Sequence, residues 1–132
     1  ADYQSLGLTL GRHPVQLLRH RLDRYRYLQA ERIAGLPTGT AVSVAGLVIT
    51  KQRPGTASGV IFVTLEDETG HINLVVWAQV AEQYRAALLN AKLMGVQGEL
   101  QIEGEVVHVI AKRLVDHSEM LGNLVVTSRD FR

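Results

Sequence analysis

No cysteine occurs anywhere in the 132 residues. That removes a disulfide framework, a thiolate metal site and cysteine nucleophilic chemistry together, and leaves a reducing compartment, the cytoplasm, as the expected location. No apolar run approaches the ~20 residues that span a bilayer, and the first residues lack the charged-then-apolar order of a signal peptide, so no membrane partner is expected. Net charge is nearly absent as well: 14 Lys and Arg stand against 13 Asp and Glu, a formal +1. Catalytic patterns are missing too. His13, His20, His71, His108 and His117 show no i, i+4 pairing with a glutamate and no serine at a telling distance, and the glycines form no phosphate cradle of the Walker kind. Glu66, Asp67 and Glu68 are adjacent in one turn, where side chains splay, whereas a metal-dependent nuclease or polymerase site needs carboxylates converging from separate strands. Asp67 and Thr69 read as turn formers. No catalytic residue, metal or cofactor is expected on this chain.

What is present is ordinary for a globular domain, with 46% hydrophobic and 20% charged residues. A chain of this length buries roughly two thirds of the surface it exposes when unfolded. It starts at Ala1 rather than methionine, which fits a piece of a longer protein. The small net charge hides an uneven distribution: Arg12, Arg19, Arg21, Arg24, Arg26 and Arg32 crowd the early segment against only Asp23 and Glu31. In that segment Pro14 suits a first helical turn, and Val15, Leu18 and Leu22 recur on one helical face. A second short helix is expected over about Gln29 to Ala34, stopped by Gly35 and Pro37. Residues 1–40 therefore read as a helical lead-in, too short to hold a core alone, that packs on its neighbour or ends an upstream domain.

From Ala41 the period changes to two. "AVSVAGLVITKQR" is a strand with Gly46 where a curved sheet needs a bend or bulge. "PGTASG" is a loop, "VIFVTLE" a second strand, "DETG" a tight turn and "HINLVVW" a third strand. "AQVAEQYRAALLN" has helical spacing, with Val80, Tyr84, Ala87 and Leu88 on one side, and "KLMGVQGELQIEGEVVHVIAKRLVD" returns to two strands folded over at Glu103-Gly104-Glu105. Three strands, a helix and two strands make a mainly β domain over 41–115: a five-stranded Greek-key barrel of the oligonucleotide-binding type, the OB-fold. Residues 116–132 read as a short helix and tail.

The pleat then sorts the side chains. With Ile61, Val63 and Leu65 inside, Phe62, Thr64 and Glu66 point outward. With Ile72, Leu74 and Val76 inside, Asn73, Val75 and Trp77 share the outer side. An exposed Phe62 offers a stacking surface for an unpaired base, worth roughly 1–3 kcal/mol, and Asn73 offers hydrogen bonds to a base edge or sugar. Phe62 and Trp77 could equally be covered by the lead-in or seal the barrel end, and for Trp77 packing is the first reading. In "KQRPGTASG", Lys51 and Arg53 stand beside a small, flexible loop with Thr56 and Ser58, suited to closing on a phosphodiester backbone. A solvated hairpin loop with incidental charges is the plainer reading. Lys112 and Arg113 would extend the basic track, or simply lie on a solvated edge.

Taken together, "VAGLVITKQRPGTASGVIFVTLEDETGHINLVVW", "GVQGELQIEGEVVHVIA" and the terminal "TSRDFR" resemble the C-terminal OB domain of bacterial C-family DNA polymerases, closest to the error-prone, damage-tolerance branch. The early "DYQSLGLTLGRHPVQLLR" is similar to the piece preceding that domain, its Gly-x-x-x-x-x-His-Pro pattern met by Gly7, His13 and Pro14. The resemblance covers nearly the whole chain. It implies a non-catalytic module that holds single-stranded template DNA for a translesion polymerase whose catalytic aspartates lie upstream, and a C-terminal region that contacts accessory mutagenesis proteins. The residues themselves also leave open a protein-docking platform and an anticodon-binding or other RNA-binding barrel.

Overall fold

A computed structural model describes residues 13–53 and 59–122. His13 caps helix α1 (Pro14–Asp23), its Nδ1 accepting the Val15 N–H at 3.1 Å, and Pro14 occupies the first turn, where its missing N–H costs nothing. Val15, Leu18 and Leu22 are buried along one face of α1. They pack with Tyr27, Ala45, Leu93, Met120 and Leu121 into a hydrophobic cluster separate from the barrel interior. Helix α2 (Ala30–Ile33) follows, and Ala30 and Ile33 join the barrel core itself. Helices α1 and α2 thus pack on the barrel strands through two different apolar surfaces.

Five strands close a barrel in the order β1-β2-β3-β5-β4: β1 (Ala41–Gln52), β2 (Ile61–Glu66), β3 (His71–Val76), β4 (Leu93–Glu103) and β5 (Val106–Asp116). All neighbours are antiparallel except β3 and β5, whose parallel pairing closes the cylinder. Strand β1 serves both sides, pairing β4 through Ala41–Leu47 and β2 through Leu47–Gln52. At the crossing, a Cβ on Gly46 would lie 2.8 Å from the Glu66 carbonyl oxygen, so only glycine permits the approach. The register slip itself falls between Val48 and Thr50 rather than at Gly46. Two short helices, α3 (Ala78–Gln83) and α4 (Arg85–Asn90), lie between β3 and β4 where one helix was predicted, parted at Tyr84 with φ −112° and ψ 34°. Val80, Tyr84, Ala87 and Leu88 pack against the core from there. The β4–β5 hairpin turns at Gly104, which takes φ 61°.

Ile61, Val63, Leu65, Ile72, Leu74 and Val76 all fill the interior, each contributing roughly 1.5–3 kcal/mol by burial. The β2–β3 turn does more than reverse the chain. Asp67, only 2% exposed, accepts the Thr69 and Gly70 N–H groups and the Thr69 hydroxyl on Oδ1, at 2.7, 3.0 and 2.8 Å. Its Oδ2 accepts the Ala30 N–H at 2.7 Å, and Thr69 Oγ1 accepts the Glu31 N–H at 3.1 Å. The turn therefore caps the N-terminus of α2 across the fold, satisfying donors that a helix cannot satisfy itself. Next door, Glu68 holds Arg19 in a bidentate pair at 2.8 Å for both bonds, and also accepts from Gln29 at 3.0 Å. Burial pushes the Glu68 carboxyl up, but hydrogen bonds from Arg19, Gln29 and its own backbone, with the attraction of the Arg19 charge, bring it down to about 2. His13 Nε2 lies 2.9 Å from Glu66 Oε1. The acidic cluster is thus the socket for the lead-in, and Arg19 spends its charge there.

Candidate nucleic-acid interface

Strand register builds the outer face row by row. Phe62 stands opposite Val75 and Gln52, and Val75 opposite Ile110; Thr64 stands opposite Asn73 and Thr50, and Asn73 opposite His108. Interior partners alternate with these, Val63 opposite Leu74 and Leu65 opposite Ile72, so the odd-numbered residues of β2 fill the barrel and the even-numbered ones face out. Phe62 is 39% exposed, Asn73 exposed and Thr64 half-buried. Val75 shares this side but is buried. Trp77, at the start of α3, is 51% exposed rather than packed. Arg53 and Gly59 lie at the Phe62 end of this face, next to the ends of β1 and β2, and the Gly104–Glu105 turn lies at the Asn73–His108 end, because β3 and β5 run parallel.

The slip in β1 redirects the first cation of the loop. Val48 faces the interior opposite Leu65; beyond the bulge Thr50 faces outward opposite Thr64, and Lys51 returns to the interior side opposite Val63. At the barrel end Lys51 Nζ donates to the Leu88 and Leu89 carbonyls, at 3.0 and 3.3 Å. These are orphan acceptors at the C-terminal end of α4, so the ammonium caps that helix, using two of its three N–H groups among the described residues. Gln52 takes the outward position beside Phe62. Thr50, Gln52, His108 and Ile110 thus belong to the face although sequence reasoning missed them. An alternating pattern carries no mark of a one-residue slip, and nothing local specifies that β5 lies beside β3.

Arg53 is exposed at the strand exit, while Thr56 and Ser58 lie outside the described residues. Lys112 and Arg113 are both exposed because a second slip sits there: Gly98 pairs Ala111 and Gln97 pairs Arg113, leaving Lys112 as the extra residue. They lie past Ile110, the last residue of β5 paired with β3, so they are not rungs of the ladder that carries Phe62 and Asn73. Among the described residues no helix is long and apolar enough to cross a membrane.

Residues 42–116, from the second residue of β1 to the last of β5, match the OB-fold nucleic acid binding domain family of the tRNA anti-codon type. The chain belongs to this family. Over 131 residues it is 60% identical to a protein of Azoarcus sp. (strain BH72) named error-prone DNA polymerase, and over 132 residues 54% identical to one of Pseudomonas fluorescens with the same name. Nearly all of the chain is covered, but it spans only 12% and 13% of those relatives' length. Among solved structures, asparaginyl-tRNA synthetase from Pyrococcus horikoshii superimposes with a TM-score of 0.58 at 22% identity, over 69% of this chain and 22% of that one. The hypothetical protein ygiW from E. coli does so at 0.51 and 15%, over 67% and 87%. At such identities the likeness is one of fold.

Proposed function

We propose that the chain is a single-stranded DNA-binding module of an error-prone DNA polymerase, holding unpaired template during translesion synthesis in the cytoplasm, with the parent chain's catalysis carried elsewhere. In this reading 1–40 is a lead-in, 41–115 the binding barrel, and 116–132 a tail that meets accessory mutagenesis proteins. The observation that carries it is the pairing of an exposed ring with hydrogen-bonding side chains on one outer face: Phe62 in one row, Thr64 and Asn73 in the next. A base stacks on the ring while the neighbouring row reads its edge or sugar. Arg53 at the loop and Lys112 and Arg113 beyond β5 supply phosphate neutralisation, and exposed Trp77 gives a second stacking ring. The near-neutral net charge implies modest affinity for the isolated domain, which tethering to a polymerase would raise in effect.

Titration of labelled oligo-dT at two salt concentrations tests this. Saturable binding that weakens with salt is expected, and Phe62→Ala should weaken it about 5-fold to 150-fold, matching a stacking loss of roughly 1–3 kcal/mol, with the melting temperature unchanged. No saturable binding at low salt rejects the proposal. A preference for a structured RNA loop would instead assign the face to RNA.

A further inference from the structure

A cleft of about 490 Å3 opens at the α3–α4 end of the barrel. Among the described residues it is lined by Lys51, Arg53 and Arg85 with a single carboxylate, Glu82, and by aliphatic side chains, Ile61 and Leu88 buried and Leu89 exposed. The lining thus holds an excess of two positive charges. The volume lies in the usual range for ligand sites, about 300–1,000 Å3. Arg85 and Arg53 are exposed, neither has a carboxylate within salt-bridge distance among the described pairs, and Lys51 is fixed in place by the α4 carbonyls. The cleft is also continuous with the outer face. Gln52 lines it and is the register partner of Phe62, and Ile61 in its lining precedes Phe62 in β2.

We propose that this cleft is a phosphate-holding subsite for a single DNA strand that has crossed the outer face, with Arg85 as its principal contact. The occupant is anionic because the lining is cationic, and it is an extended strand because the cleft begins where the stacking row ends. A phosphate reaches Arg85 and Arg53 while the sugar lies over Leu89, which is 59% exposed. Glu82 opposes the same phosphate and limits affinity. The proposal rests on the single-strand reading above and adds to it a site on α4, a helix outside the four strands of that face.

The test is the salt dependence of binding of an oligo-dT of about sixteen nucleotides, the upper end of OB-fold site sizes, to the whole chain. Each phosphate contact on a single strand contributes about 0.7 to the slope of log affinity against log salt. Arg85→Ala should lower the slope by that amount. Its loss of affinity over a fourfold rise in salt should then be about 2.6-fold smaller than that of the unaltered chain, four raised to the power ~0.7. Glu82→Gln should tighten binding at low salt. Phe62→Ala should weaken binding with the slope unchanged, since stacking releases no counterions, and this separates the two claims. An unaltered slope in Arg85→Ala, with Phe62→Ala still weakened, overturns the cleft assignment and leaves the face reading intact. No binding by the unaltered chain overturns both. Saturable binding of an acidic, leucine-containing peptide that is lost in Arg85→Ala, with the DNA slope unchanged, would give the cleft to a protein segment and also overturn the assignment.

Discussion

Replacing Asp67 by alanine removes the acceptor that joins the lead-in to the barrel. Four hydrogen bonds end on its carboxylate, at 2.7 to 3.0 Å, and the residue is 2% exposed. The losses are unequal. Ala30 is buried, so its N–H would be left without an acceptor, at a cost of about 1–3 kcal/mol; Thr69 and Gly70 are half-buried, and water can replace their partner at about 0.5–1 kcal/mol each. Over the Ala30 bond and the three turn bonds the sum is about 4 kcal/mol, or roughly 15 °C in melting temperature for a domain of this size. Urea unfolding followed by far-UV circular dichroism measures the first quantity and thermal melting the second. Amide exchange locates the effect: the Ala30 N–H should lose protection before amides of β2. Asp67→Asn keeps an acceptor for the turn and should cost about half as much. A loss below about 1 kcal/mol in Asp67→Ala would refute the claim that this turn holds the lead-in.

Gly95→Ala should destabilise the chain by about 1–3 kcal/mol through overpacking, because a Cβ there would lie 2.6 Å from Tyr27 Cζ, inside the Tyr27–His117 contact of 2.8 Å. Tyr27→Phe in the same chain should recover part of the loss, and strict additivity in chemical denaturation would contradict the clash. Acidification should destabilise in two windows. Burial holds His117 and His13 below the ordinary imidazole value of 6.5 against the pull of nearby carboxylates. The unfolded chain therefore binds more protons just below that value, and their contribution, complete above it, fades as pH falls towards the depressed folded values. Glu68, at about 2 against an ordinary 4.5, contributes above pH 4.5 and loses its contribution as pH falls towards 2. Urea midpoints across pH 7.5 to 3 check both, and Glu68→Gln should flatten the lower window.

The alternation of β2 and β3 was legible because burial on one face of a strand writes period two directly into the residues. Ile61, Val63 and Leu65 had to fill the barrel, and Phe62 had to face out. The amphipathic face of α1 was legible for the same kind of reason, with Val15, Leu18 and Leu22 at helical spacing. Lys51 was not legible in its position, because a single unpaired residue at Ile49 inverts the parity of everything after it. Arg19 could be read only as one cation among many, although its guanidinium is held by Glu68, 49 residues away.

The sequence by itself determined the order of strand and helical segments and which side of β2 and β3 is apolar, since these follow from interactions between residues a few positions apart. Only the tertiary structure decided that the acidic turn clasps the lead-in, that β5 lies beside β3, and that Arg85 shares a cleft with Arg53 and Lys51. Those facts depend on which distant segments meet when the barrel closes, and no local periodicity encodes a partner tens of residues away.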